Sequence, residues 1–261
     1  MKKYELTAEF IEKWGKKLFR IKALISFGNV EAGELGGYVE KEDNLAQYGN
    51  AWVSGDAKVY GNAKVSGNAW VYGDAEVSGD AEVSGDAKVY GDAKVYGDAR
   101  VYGDAWVYGD AWVCGNARVY GDARVYGDAW VYGDARVYGD AWVYGDAWVC
   151  GNARVYGDAE VCGNAEVCGN ARVYGDADYL LIGRISSRFS FTTFFKNKDK
   201  GITVSCGCFL GTIAEFRAKV TDTHGNNKHA KIYNLAADMA ELQILGEEHF
   251  DKLNTNKSEP F

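Results

Sequence analysis

Proline is almost absent: the only one in 261 residues is Pro260, against 33 glycines. That ratio excludes a Pro/Gly-rich disordered chain and points to periodic turns. No apolar run approaches the roughly 20 residues of a membrane-spanning helix, so no membrane partner is expected. The opening MKKYELTAEF has two lysines but no apolar core, and a secretory leader is not expected. Six cysteines are too few for a secreted disulfide scaffold. A net charge of −8 argues against a general nucleic-acid binder.

What the chain has is a repeat. From Gly49 to Tyr174 the 126 residues form 21 uninterrupted hexads: Gly, Asp or Asn, Ala, a variable residue, Val, then Tyr, Ser or Cys. Asp43 to Tyr48 is a degenerate copy and Gly175-Asp176-Ala177 a partial one. A strict period of six with a glycine in every copy is incompatible with a helix. Ala-x-Val-Tyr alternates as a strand does, with Ala and Val on one side and the variable residue and Tyr on the other. Gly-Asp and Gly-Asn are turn dipeptides. Each hexad therefore reads as a short strand and a corner. One strand cannot bury its Val alone, but copies stacked about 4.8 Å apart can.

The hexads Val-Tyr-Gly-Asp-Ala-x resemble the hexapeptide-repeat superfamily. The resemblance implies an all-β, left-handed parallel β-helix of triangular section, with three hexads per coil and hence seven coils here. The sixth-position Tyr departs from the small residue usual in that motif. The segments Ile21-Lys22-Ala23-Leu24, Gly36-Gly37-Tyr38-Val39-Glu40 and Asn44-Leu45 are similar to the N-terminal cap of an uncharacterised branch. That branch is frequent in phages and prophages and is often labelled a transferase. The resemblance spans about residues 18 to 177; with neither a membrane span nor a secretory leader expected, the chain reads as a cytoplasmic protein of a bacterial host cell. The resemblance is specific for fold and uninformative for function.

With three hexads per coil, residues 18 apart share a face. One face carries Lys64, Glu82, Arg100, Arg118, Arg136, Arg154 and Arg172, flanked by Tyr102, Tyr120, Tyr138, Tyr156 and Tyr174. Such a stripe can hold an anionic partner by charge and stacking; the alternative is duplicated arginines on a solvated face. A second face carries Lys58, Glu76, Lys94, Trp112, Trp130, Trp148 and Glu166. Three stacked tryptophans form an apolar strip of the kind that marks an interface, or a ladder that only stabilises its sheet. The third face, Trp52, Trp70, Lys88, Trp106, Arg124, Trp142, Glu160 and Asp178, has no single theme. Since most oligomers are homo-oligomers, and similar β-helices often trimerise through flat faces, a homo-oligomer (trimer or dimer) is expected.

Corner aspartates form acidic ladders, one running Asp56, Asp74, Asp92, Asp110, Asp128 and Asp146. They are turn formers before they are cation ligands. Residues 49 to 177 hold 19 acids and 10 bases, which motivates a DNA-mimic reading; the interleaved arginines count against it. Ice binding is excluded by the absence of threonine from the repeat.

Acyltransferases that resemble this superfamily use a histidine base on or near the solenoid and loops that shape a coenzyme A site. Here all three histidines, His224, His229 and His249, lie in the C-terminal segment, and no insertion breaks the hexads. No catalytic residue can be assigned, since acyl transfer needs a positioned base.

The ends differ from the repeat. Residues 1–48 read as an N-terminal cap, with a short helix over Thr7 to Lys17 (Thr7 as N-cap), a strand over Leu18 to Phe27 and a turn-rich stretch from Gly28 to Gly37. Residues 178–245 read as a small α+β domain. Strands are expected over Tyr179 to Ile185, Phe189 to Phe195 and Ile202 to Phe209, with a polar turn at Asn197 to Gly201. Thr212-Ile-Ala-Glu215 is a capping box opening a helix to about Thr221. A second helix is expected over Asn226 to Leu245, with Ile232, Leu235, Met239 and Leu242 near helical spacing. Residues 246–261 read as a polar, frayed tail. Cys206, Cys208, His224 and His229 offer a zinc donor set, although Cys-x-Cys is tighter than usual; the alternative is two strand cysteines and two exposed histidines. Zinc is the one cofactor the sequence suggests. Cys150 and Cys168 would be stacked neighbours close enough for a disulfide, against which a cytoplasmic setting argues.

Together these readings favour a non-enzymatic phage- or prophage-type scaffold that presents Trp112, Trp130, Trp148 and the five arginines to a host or virion protein. The alternatives are an acyltransferase with an intersubunit site and an acidic DNA mimic.

Overall fold

The computed structural model describes residues 2–247, so the tail beyond Glu247 lies outside the described residues. Every hexad forms one short strand, from Trp52–Val53 to Arg172–Val173 (β4 to β24). The strands sort into three parallel sheets with seven hexads on each, which gives 21/3, or seven, coils. Partners are 18 residues apart throughout, as in Trp52↔Trp70, Lys58↔Glu76 and Lys64↔Glu82. Below the first coil, Tyr38 and Val39 pair with Lys58 and Val59, and Leu45 bridges Val65. These are two of the three rungs of an incomplete eighth turn, built from the degenerate copy and the segment before it.

The hexad chemistry explains the coil. Each Ala and Val of the repeat is buried in a continuous column. Fully burying a valine is worth about 1.5 kcal/mol or more, so the column is narrow but its contributions recur along the whole solenoid. The backbone is paired rung to rung: the Trp70, Tyr72 and Asp74 N–H groups donate to the Ala87, Val89 and Gly91 carbonyls at 2.9, 3.0 and 2.9 Å.

The N-terminal cap corrects the sequence reading. The helix expected over Thr7 to Lys17 is a β-hairpin, β1 (Tyr4–Lys13) and β2 (Lys16–Ala23), turning at Trp14-Gly15. Both turn residues have positive φ, 53° and 74°, as a two-residue hairpin requires. The competing force is the sheet edge. β3 (Leu35–Val39) would otherwise present unpaired backbone groups, and β2 pairs with it antiparallel before it joins the parallel ladder. Trp52, placed by period on an outer face, is fully buried by this cap. Its ring meets Tyr4 and Phe27 edge-on at centroid distances of 6.4 and 5.4 Å.

The C-terminal domain seats on the last coil. Four antiparallel strands, β25 (Tyr179–Ile185), β26 (Ser190–Lys196), β27 (Ile202–Cys206) and β28 (Phe209–Thr212), precede α1 (Ile213–His224) and α2 (Lys228–Leu245). The strand expected over Ile202 to Phe209 is thus two strands reversing at Gly207-Cys208. Phe195 completes the solenoid core, with Tyr179 and Leu181 packed against it. Thr193 accepts from the Glu166 N–H at 3.0 Å, and Ser205 donates to the Glu166 carboxylate at 2.7 Å. Asp178 leaves the third face and binds Lys196 at 2.7 Å. The capping box stands as expected: Thr212 Oγ1 accepts from Glu215 N–H at 3.2 Å, and Glu215 accepts from Thr212 N–H at 2.8 Å. The stripe Ile232, Leu235, Met239 and Leu242 is helically spaced but faces outward. The buried face of α2 is Ala230, Tyr233, Ala236, Ala237, Ala240, Glu241 and Ile244. Small alanines let α2 lie close to the sheet, and Arg217 neutralises Glu241 at 2.7 Å.

Candidate functional site

The solenoid exposes rows of variable and sixth-position side chains at the strand spacing, and the site is built from these rows. On the arginine face, Arg100, Arg118, Arg136, Arg154 and Arg172 are in register on successive rungs. Its strands are the longest of the repeat, reaching four residues at Arg100–Gly103, Arg118–Gly121 and Arg136–Gly139. Tyr102, Tyr120, Tyr138 and Tyr156 stack beside the arginines with centroids 4.9, 4.9 and 5.1 Å apart. Glu82 pairs with Arg100 at 3.5 Å. Arg172 turns back to the Ala171 and Asn152 carbonyls at 2.7 and 3.1 Å, so the stripe ends by capping backbone.

On the second face Trp112, Trp130 and Trp148 stack at 4.6 and 5.7 Å. Lys94 sits over the Trp112 ring at 4.6 Å, and Tyr96 and Tyr132 meet the ladder edge-on. Stacking half-buries Trp112 and Trp130, whereas Trp148, at the top, is 41% exposed. The rows expected from sequence are therefore brought together residue by residue.

The third face has an order that was missed. Trp, Lys, Trp, Arg and Trp alternate up the column, and the cations lie on the rings: Lys88 on Trp106 at 4.6 Å, Arg124 on Trp106 and Trp142 at 5.3 and 4.9 Å. Each such contact adds about 0.5–1 kcal/mol at an exposed site. Beside it runs the longest aromatic ladder, Tyr72, Tyr90, Tyr108, Tyr126 and Tyr144, at 4.7 to 4.9 Å. Asp86, Asp104 and Asp122 at the corner complete an open groove of about 570 Å³ with Trp70, Trp106 and Arg124. The signal was the 18-residue alternation of cation and indole, legible only once cation–ring pairing is considered along a column.

Burial pushes the hydroxyls of Tyr72, Tyr90, Tyr108, Tyr120 and Tyr126 upward; at Tyr90 the neighbouring Tyr72 and Tyr108 add to it while Arg124 opposes. Tyr96 is pushed up to about 12 by burial and by the Cys114 thiol. These raised phenols stay neutral at neutral pH. The wall offers ring faces, guanidinium donors and carboxylate corners, which suits binding of flat, extended surfaces.

The C-terminal domain holds a smaller cleft of about 270 Å³, lined by Ser187, Cys206, Phe216, His224 and Tyr233 among others. Cys206 is buried and accepts from Thr192 Oγ1 at 3.2 Å, whereas Cys208 is exposed. The His224 and His229 rings lie 5.8 Å apart across the turn between the helices. Among the described residues no group of three or more His, Cys, Asp or Glu is arranged to hold a metal ion. Burial, then Cys206, pushes the Tyr233 hydroxyl up. No described helix is long and apolar enough to cross a membrane. Cys150 and Cys168, stacked on adjacent coils, form a disulfide.

A family model for the YdcK beta solenoid repeat matches residues 57–73, 93–109, 99–115, 111–127, 117–133, 129–145, 135–151 and 147–163. The windows begin in phase with the hexads and lie wholly within the solenoid, so the comparison and the coil geometry agree on a β-solenoid repeat protein. No curated protein matches the chain.

Proposed function

We propose that this chain is a non-enzymatic scaffold of phage or prophage type, a hexapeptide-like solenoid whose faces bind a host or virion protein. The observation that carries the reading is the register of the aromatic rows: Trp112, Trp130 and Trp148 stack as one strip, with parallel tyrosine ladders on the neighbouring edges. Aromatic and arginine side chains are the residues on which protein interfaces concentrate their binding energy. A rigid ladder also loses little side-chain entropy on binding, because stacking already restricts each ring. The grooves along the solenoid are open and shallow, whereas small-molecule sites are concave and enclosed. Acyl transfer would need a base, and no histidine occurs in the repeat.

The test is a pull-down from nuclease-treated bacterial lysate, with mass spectrometry of the bound material. Wild type is compared with the Trp112→Ala/Trp130→Ala/Trp148→Ala protein, whose fold is checked by circular dichroism. The expected outcome is a defined protein retained by wild type and lost by the variant. Equal retention by both would refute the tryptophan strip as the binding face. Saturable coenzyme A binding by wild type would replace the scaffold reading with the acyltransferase one.

A further inference from the structure

The outer face of α2 is charged and packed unlike a solvent face. Its exposed positions are Lys228, Lys231, Ile232, Leu235, Met239, Leu242 and Gln243. Ile232, Leu235, Met239 and Leu242 are 39%, 63%, 58% and 46% exposed. They are spaced three, four and three residues apart, the a/d pattern of a two-helix seam. Together they leave roughly 400 Å² of apolar surface in one strip, within the range of the largest patch of a monomer, which is often functional. The neighbouring helix α1 shows no such strip: its exposed residues include Glu215, Lys219, Thr221, Asp222 and Thr223.

The charges on α2 are also reversed. A helix N-terminus carries partial positive charge and favours acids; the C-terminus favours bases. Here the first turn holds no acid and the last turn no base. Lys228 and Lys231 sit at the positive end, and Glu247 lies just past the negative end. Alone, this arrangement is unfavourable at both ends. A second α2 laid antiparallel corrects both, because each basic start then meets the partner's negative end.

We infer that α2 is the interface of a two-fold homodimer, its Ile232/Leu235/Met239/Leu242 stripe packed antiparallel on the same stripe of a second copy. This inference is independent of any partner bound by the solenoid faces. With the axis near residue 237, Ile232 meets the second copy's Leu242, and Leu235 meets its Met239. The same register brings Lys228 to the second copy's Glu247 and C-terminal carbonyls. Asp238, the acid nearest the axis, is held back by Arg217 at 2.7 Å, so no carboxylates face each other across the seam. The apolar stripe covers about half of the roughly 800 Å² that each partner buries in a standard interface, and the stems of Lys228, Lys231 and Gln243 on the same face extend it. A membrane surface is the competing occupant. It is disfavoured by a chain charge of −8 and by only two lysines on this face.

Sedimentation equilibrium of the full chain between about 1 and 100 µM tests the inference. Wild type is expected at twice 28.6 kDa. Leu235→Lys, at a site already exposed, is expected at the monomer mass with unchanged circular dichroism. Lys228→Glu should weaken self-association about ten- to twentyfold, because two-fold symmetry removes two exposed ion pairs at once. Lys228→Glu/Glu247→Lys should restore it, which only an antiparallel seam predicts. The Trp112→Ala/Trp130→Ala/Trp148→Ala protein should keep the dimer mass. The inference is overturned by a monomeric wild type at 100 µM, whether or not it floats with anionic vesicles. It is equally overturned by an oligomer indifferent to Leu235→Lys, or by a double charge swap as weak as Lys228→Glu alone.

Discussion

Gly103 and Gly169 occupy equivalent places in the repeat, with φ of +73° and +67°, yet alanine at the two should not cost the same. At Gly103 an added Cβ would lie 3.0 Å from the Gly121 nitrogen, 3.3 Å from its carbonyl oxygen and 3.4 Å from its Cα. All three are backbone atoms of the next coil and cannot swing aside. At Gly169, above which no coil follows, the nearest atom is Leu210 Cδ2 at 3.8 Å, an ordinary contact. Both substitutions carry the left-handed backbone cost of about 1–2 kcal/mol. Only Gly103→Ala also pries two coils apart, an overpacking cost of about 1–3 kcal/mol. The expected destabilisation is therefore about 2–5 kcal/mol at Gly103 and about 1–2 kcal/mol at Gly169. Urea unfolding followed by tryptophan fluorescence, with the slope checked for constancy, measures the difference. Equal midpoints for the two variants would refute the claim that coil stacking, rather than φ alone, demands glycine at the corners.

Two further outcomes follow from the cap and the disulfide. Lys3 is 2% exposed, with its ammonium donating to the Ala51 carbonyl at 2.8 Å. Burial pulls its pKa down from 10.5 to about 8. Between those values the unfolded chain holds a proton that the folded one has released, so Lys3's contribution to stability rises with pH from about 8 to 10.5. Lys3→Met should therefore stabilise the protein relative to wild type at pH 7 and less so at pH 10; a gap that widens with pH would contradict this. The Cys150–Cys168 bridge spans 18 residues, for which loop closure accounts for about 3 kcal/mol. Reduction should release two additional thiols and lower the urea midpoint without changing the circular dichroism spectrum. Loss of the β-sheet signal on reduction would show that the Ala/Val column alone does not hold the coils.

The solenoid was legible because its determinants are local and repeated. A six-residue period with one glycine, one alanine and one valine per copy leaves a single way to alternate in and out. Three copies per coil then place Arg100 over Glu82 and Trp130 over Trp112 with no further information. The rows of the candidate site follow from that register, as does the cation–indole column, once side chains 18 apart are compared.

What the tertiary structure decided lies where the repeat stops. The hairpin at Tyr4 to Ala23, the burial of Trp52 and the seating of Phe195 on the last coil depend on contacts between segments distant in sequence. In each, an open sheet edge or an uncovered core outweighed local propensity. On α2 the spacing of Ile232, Leu235, Met239 and Leu242 marks a helix but not its buried side. That choice fell to Ala236, Ala237 and Ala240, because only small side chains let the helix approach the sheet closely enough to share its core. By itself the sequence determined a six-residue strand and corner with Ala and Val turned inward, since those choices are local; near-identical repeats leave the register open, and the stacking of three hexads per coil decided the rows. The ends and the outward apolar stripe were decided by which surfaces remained to be covered.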